Sequence, residues 1–261
     1  MQILRFKDRF TLNQNHNQIN FFWRAIFLIL LAFFQFSVNA NQTINLAIID
    51  TGFCHQKLDK NNILLMPTFD ATSSISSLTC DNSNKDTPRF HGQKVLETFL
   101  EQYHSKIKIR ITPIIVYDNR AETKEVYWNK AMDHIKVQSF DYVISAVGIK
   151  SLNLKISKDF SPVWFLAAAR ISPYIKQEDS IFPQNQFSNK KVFLIGNYNS
   201  PKFIDNGLLY KDKINYFIND SKLKFNGSSF AVAYFAAEYF NICHKSLNSN
   251  QCLKFLNQSQ L

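Results

Sequence analysis

The sequence lacks the residue patterns that hold metal ions. Among its 261 residues there are only four cysteines, and they form no C-x-x-C pair and no Cys/His cluster with the spacing of zinc ligands. No loop is dense in carboxylates, so nothing in the sequence argues for calcium. We therefore predict no metal site and no other cofactor.

Internal repeats, low-complexity tracts and basic stripes are also missing. The formal net charge is +10, but the first forty residues carry four basic residues and one acid, a net +3, which leaves +7 for the rest. The remaining lysines are scattered and not interleaved with aromatic side chains in one stripe. This distribution argues against nucleic-acid binding and indicates at most an attraction to acidic surfaces.

The first forty residues have the composition of a targeting segment. A basic, polar start is followed by the apolar run "AIFLILLAFFQF" and then by "SVNA". This order predicts a secretory signal peptide, residues 1–40, cleaved after Ala40; the alternative is an uncleaved membrane anchor. The remainder, 41–261, has the size and apolar content of one globular domain. We expect an exported protein, periplasmic or secreted, from a bacterium.

The cysteines all follow the export signal, and their number is even. Disulfides are the usual state of such cysteines in an oxidising compartment. Three pairings are possible, and nearness in sequence favours two local loops, Cys54–Cys80 and Cys243–Cys252.

Apolar runs alternate with amphipathic or polar segments along the mature chain. The runs "INLAIID", "IRITPIIVY", "DYVISAVG", "PVWFLAAAR" and "KKVFLIGN" are typical of strands buried on both faces. This alternation predicts an α/β fold, a mostly parallel sheet with helices on both faces. In such sheets functional groups gather at the carboxyl ends of the strands, where we expect Asp50, His91 and Ser229.

These three residues have ordinary structural explanations when each is taken alone. Asp50 follows a strand, as turn residues do; His91 opens a helix; Ser229 starts another helix, where serine is a common cap. Together they supply an acid, a base and a hydroxyl, the set needed for acyl transfer. Ser228 is then expected to serve the helix cap or the backbone geometry.

Three segments resemble one family in their order and local context. "LAIIDTG", "FHGQKVLETF" and "NGSSFAVA" are similar to the aspartate, histidine and serine segments of the subtilisin-like serine proteases (subtilases). The resemblance implies a compact, divergent serine endopeptidase that acts on a peptide or protein through an acyl-enzyme, with Asp50, His91 and Ser229 as catalytic residues. It also implies that "DYVISAVG" binds substrate through Ala146, Val147 and Gly148.

The chain departs from that family where an oxyanion donor is expected. The resemblance places Arg170 at the position of the family's asparagine, and losing such a donor reduces the rate by about 100- to 1,000-fold. The alternative is therefore a catalytically impaired or inactive module of the same fold that binds a peptide or protein partner. An aspartic protease is the weaker rival for "IIDTG", because a second Asp-Thr/Ser-Gly segment is absent.

Overall fold

The computed structural model describes residues 43–53, 62–73, 90–157, 159–199 and 207–243. All of them belong to the unit Thr43–Leu261, the larger of the two units into which the chain divides. The predicted signal peptide, its cleavage point and the cysteines Cys54, Cys80 and Cys252 lie outside the described residues. Both disulfide pairings therefore stay predictions. Within the described part, no helix has the length and apolar character needed to cross a bilayer.

An eight-stranded sheet forms the centre of this unit. Its strand order is β10-β9-β7-β5-β1-β4-β2, β3 also pairs with β4, and every pair in it is parallel. Strands β6 and β8 form a separate antiparallel pair. The strands are β1 (Thr43–Asp50), β2 (Ile63–Leu65), β3 (Phe69–Asp70), β4 (Lys108–Ile115), β5 (Tyr142–Ser145), β6 (Ile149–Lys150), β7 (Val163–Ala167), β8 (Ile181–Phe182), β9 (Val192–Tyr198) and β10 (Tyr216–Asn219).

Within the residues that the structure describes, three α-helices cover the two faces of the sheet. They are α1 (His91–Gln102), α2 (Glu125–Gln138) and α3 (Ser228–Cys243). Side chains of α1 and α3 share one apolar cluster with Leu46 and Ile48 of β1. Side chains of α2 share a second cluster with Ala47 and Ile49 of the same strand. The predicted α/β architecture, with a mostly parallel sheet and helices on both faces, is confirmed.

The sequence of β1 follows from its position in the middle of the sheet. Successive side chains of a strand point to opposite faces, so a strand covered by helices on both faces must be apolar throughout. From Leu46 to Ile49 every residue of β1 is fully buried. The strand then ends at Asp50, a buried carboxylate, and this change of character marks the edge where the site lies.

Candidate functional site

The carboxyl ends of β1, β5 and β7 lie side by side because these strands are parallel neighbours. β1 ends at Asp50, β5 at Ser145 and β7 at Ala167. Helix α1 meets this edge through the loop after β1, and the first turn of α3 meets it through two serine hydroxyls. We call this edge the carboxyl rim, and it contains all three residues predicted to be catalytic.

The contact between Asp50 and His91 is the central feature of the rim. The His91 Nδ1 lies 2.8 Å from Oδ1 of Asp50, which also accepts a hydrogen bond from the Thr51 N–H at 2.6 Å. The Asp50 side chain is fully buried, whereas 28% of the His91 side chain is exposed. A buried acid thus fixes one ring nitrogen of an imidazole that a ligand can reach, which is the arrangement of an oriented general base.

The environment of His91 favours its protonated form. Burial lowers the pKa of His91, but the charge of Asp50 and the hydrogen bond to it outweigh burial, and the net result is a raised pKa. The charge of Lys94 acts in the opposite direction and is the smallest of these contributions. Asp50 therefore stabilises the imidazolium that forms when His91 accepts a proton.

The loop after β1 holds the first turn of α1 against Asp50. The Gly92 N–H donates to Thr51 Oγ1 at 3.2 Å, and the Gln93 N–H donates to the Gly52 carbonyl at 3.1 Å. A Cβ on Gly92 would lie only 2.8 Å from the Asp50 Cβ. A glycine after His91 is therefore required for the imidazole to reach the carboxylate, and this is the physical meaning of the His-Gly pair in the sequence.

The two serines at the start of α3 reach two different strand ends. Ser228 Oγ donates to the Ala168 carbonyl at 2.6 Å, and Ser229 Oγ donates to the Ala146 carbonyl at 3.0 Å. The helix itself is begun by Gly227, whose carbonyl accepts from two backbone N–H groups of the first turn. The hydroxyl of Ser228 thus binds the end of the sheet in the described contacts, which is a role in backbone geometry.

Ser229 makes no hydrogen bond to the Asp50–His91 pair among the described contacts, although its neighbour in the chain contacts the histidine. The ring of the next residue, Phe230, lies 5.4 Å from the His91 ring, centroid to centroid. Among the described contacts, the imidazole is bound to Asp50 and the Ser229 hydroxyl to Ala146. The structure brings the three predicted residues to one rim, but the serine-to-histidine hydrogen bond of a catalytic triad is not among the described contacts.

The three predicted substrate-binding residues follow β5 directly, and each of their carbonyls accepts a side-chain hydrogen bond. Ala146 accepts from Ser229, Val147 from the Ser145 hydroxyl at 2.9 Å, and Gly148 from the Tyr117 hydroxyl at 2.6 Å. These contacts hold the segment 146–148 in place. Whether it binds substrate stays a prediction.

Arg170 lies in the segment that follows β7. It is exposed, and its backbone forms an isolated antiparallel bridge with Leu208. Its predicted role as an oxyanion donor stays a prediction.

Two residues at the rim were missed by sequence reasoning. Tyr117 follows β4, and burial, together with the nearby charge of Asp50, raises the pKa of Tyr117 to about 12. The sequence could have indicated Tyr117, since the apolar run "IRITPIIVY" ends with this side chain, whose hydroxyl is polar. Gln184, described below, had no comparable signal because it lies in a polar stretch between two predicted strands.

The described residues contain no group of three or more His, Cys, Asp or Glu side chains that could hold a metal ion.

Comparison with known proteins gives a fold and no family. No family model matches the chain, and no curated protein sequence matches it. Among solved structures, it is similar to a lanthipeptide protease, with a TM-score of 0.58, 13% identity, and coverage of 84% of this chain and 81% of that one. It is also similar to the prenylagaramide maturation protease PagA, with a TM-score of 0.50, 12% identity, and coverage of 77% and 76%.

These comparisons correct the family and the mechanism expected from the sequence. They do not support membership of the subtilisin-like serine proteases, because the matches name a lanthipeptide protease and a prenylagaramide maturation protease at identities that establish the fold alone. The Asp50–His91–Ser229 serine-endopeptidase mechanism is likewise not supported, and its physical weakness is that Ser229 donates to Ala146. The alternative of an inactive module of that family falls with the family assignment.

Proposed function

We propose that this protein is a peptidase that acts on a peptide or protein substrate at the carboxyl rim. His91 is the general base, and Asp50 orients it and stabilises its protonated form. The contact of 2.8 Å between the buried carboxylate and the accessible imidazole carries this proposal. The likeness in fold to a lanthipeptide protease and to the prenylagaramide maturation protease PagA supports peptide hydrolysis over other reactions that use a general base.

The expected contribution of His91 follows from general acid–base catalysis. A positioned base typically accelerates a reaction by about 100- to 10,000-fold. Because Asp50 accepts from Nδ1, the other ring nitrogen is the one that exchanges a proton with the reacting group. Loss of the Asp50 charge lowers the pKa of His91 and releases the ring from its fixed orientation. Removal of the imidazole and removal of the Asp50 charge are therefore both expected to reduce activity.

The experiment compares substitutions at the rim with matched substitutions elsewhere. Hydrolysis of a mixed peptide library by the purified protein is followed by mass spectrometry for the wild type, His91→Ala and Asp50→Asn. His134→Ala is the control for the histidine, because its ring stacks on Phe69 at 3.9 Å between centroids and belongs to the α2 side of the sheet. Asp179→Asn, which breaks an exposed ion pair with Lys150, is the control for the aspartate.

We expect both rim variants to lose about 100-fold or more in kcat/KM while the controls retain wild-type activity. A wild type that cleaves no peptide in the library, or a His91→Ala protein that cleaves as fast as the wild type, would refute the proposal. Ser229 and Arg170 stay predicted site residues. Ser229→Ala and Arg170→Ala, assayed in the same series, measure their contributions independently of His91.

A further inference from the structure

Gln184 is a buried amide that joins two segments of the carboxyl rim. It begins the short 3₁₀ helix Gln184–Gln186, and its side chain is almost completely inaccessible. Its Nε2 donates to the Val147 carbonyl at 3.3 Å and to the Ala167 carbonyl at 3.0 Å. One side chain therefore bridges the segment after β5 and the end of β7.

The bridge lies between the two attachment points of α3. Ser229 is bound to the Ala146 carbonyl, one residue before Val147, and Ser228 is bound to the Ala168 carbonyl, one residue after Ala167. Any change in the separation of the two rim segments must therefore move one serine relative to the other, or break one of their hydrogen bonds. Gln184 is in a position to fix that separation.

The Gln184 amide has one paired and one unpaired end. Its Nε2 donates to two carbonyls, whereas its Oε1 is buried and has no hydrogen-bond partner among the described residues, which is unfavourable. The neighbouring chain makes room for the amide, since a Cβ on Gly148 would lie 2.5 Å from Oε1. The hydrogen-bonding capacity of this side chain is therefore directed at the two rim segments, which indicates a role in their geometry.

We propose that Gln184 is a positioning residue, which sets the spacing of segments 146–148 and 167–168 and thereby the positions at which the Ser229 and Ser228 hydroxyls bind the carboxyl rim. The role in catalysis rests on the proposed peptidase function. Because Gln184 is buried and acts through the geometry of the carboxyl rim, its loss reduces kcat more than it raises KM.

The test uses Gln184→Met, which keeps the size of the side chain and removes its donor. Gln186→Met is the matched control, because it is the same substitution two residues away. The Gln186 side chain donates to Asn185 and accepts from the Ile156 N–H, and neither of these partners belongs to the carboxyl rim. We expect kcat of Gln184→Met to fall about tenfold or more with KM within about twofold, and kcat of Gln186→Met to be unchanged.

A second variant separates positioning from folding. In Gln184→Glu a protonated carboxyl group still donates one hydrogen bond, whereas an ionised one faces two carbonyl oxygens. We expect the activity of this variant, relative to the wild type, to fall as the pH rises through the pKa of the new carboxyl group. A pH profile parallel to that of the wild type, or equal kcat values for Gln184→Met and Gln186→Met, would overturn the positioning role.

A structural measurement distinguishes this inference from the proposed function. The crystal structures of the wild type and of Gln184→Glu are determined at a pH where the new carboxyl group is ionised. The contacts of Ser229 with Ala146 and of Ser228 with Ala168 are then compared between the two structures. Loss of either contact in the variant supports the positioning role even if the wild type hydrolyses no peptide. Unchanged contacts overturn it even if the wild type is an active peptidase.

Discussion

Substitution of Gly92 by alanine tests whether the first turn of α1 is fitted against Asp50. An alanine Cβ would lie 2.8 Å from the Asp50 Cβ, 2.9 Å from the Phe53 ring and 3.0 Å from the Gly52 carbonyl oxygen. Carbon atoms in contact prefer about 3.5–4.0 Å, so the helix must move away by roughly half an ångström or more. This movement carries His91, the preceding residue, away from the carboxylate.

The expected loss of stability follows from the crowding. Overpacking a buried position costs about 1–3 kcal/mol. Alanine in place of glycine normally stabilises a helix by up to about 1 kcal/mol, which offsets only part of the cost of overpacking. We therefore expect Gly92→Ala to unfold at a lower urea concentration, with a loss of about 1–2 kcal/mol. We also expect the pKa of His91 to fall towards its ordinary value, because the contribution of Asp50 weakens with distance.

The control is a second crowded glycine, far from the imidazole. A Cβ on Gly196 in β9 would lie 2.9 Å from the Phe217 ring. Gly196→Ala is expected to reduce stability while leaving the pKa of His91, measured by NMR titration of its ring protons, at the wild-type value. If Gly92→Ala keeps both the stability and the histidine pKa of the wild type, the argument from close approach is wrong.

Three further predictions follow from the fold and the sequence. The folded-state pKa of His91 is raised above its ordinary 6.5, so its contribution to stability is fully present below about pH 6.5 and lost as the pH rises through the folded value. Urea unfolding across this range should show the loss in the wild type and not in Asp50→Asn. Gly227 has a φ of +130°, and a Cβ there would meet only an ordinary contact with the Phe230 ring at 3.9 Å, so Gly227→Ala should reduce the free energy of unfolding by about 1–3 kcal/mol through backbone strain alone; an unchanged unfolding midpoint would contradict this. The exported protein should begin after Ala40, and peptide mapping of its non-reduced form is expected to give the two disulfides Cys54–Cys80 and Cys243–Cys252. Loss of either disulfide should reduce the free energy of unfolding by about 2–4 kcal/mol. Free thiols at these cysteines would contradict the pairings.

The short motifs were a poor guide to the family. Each covers only a few residues around a strand end or a helix start, and any α/β protein with groups at its carboxyl rim needs similar elements there. The apolar strand before Asp50, the glycine after His91 and the glycine before the serines each have a local physical cause. Such causes predict where side chains lie, and they do not determine the reaction or the ancestry of the chain.

The amino-acid sequence by itself determined the layered architecture and the edge that holds the site. Strands that are apolar on both faces must be covered on both faces, and parallel strands bring their carboxyl ends to one edge, so Asp50 was expected at that edge; the strand order that makes β1, β5 and β7 neighbours came from the structure. Tertiary structure alone decided which atoms bind each other across that edge. The Ser229 hydroxyl binds Ala146, 83 residues away, and Gln184 joins Val147 and Ala167, 37 and 17 residues away. Such contacts depend on the spacing of strand ends to a fraction of an ångström, and that spacing comes from the packing of the whole domain.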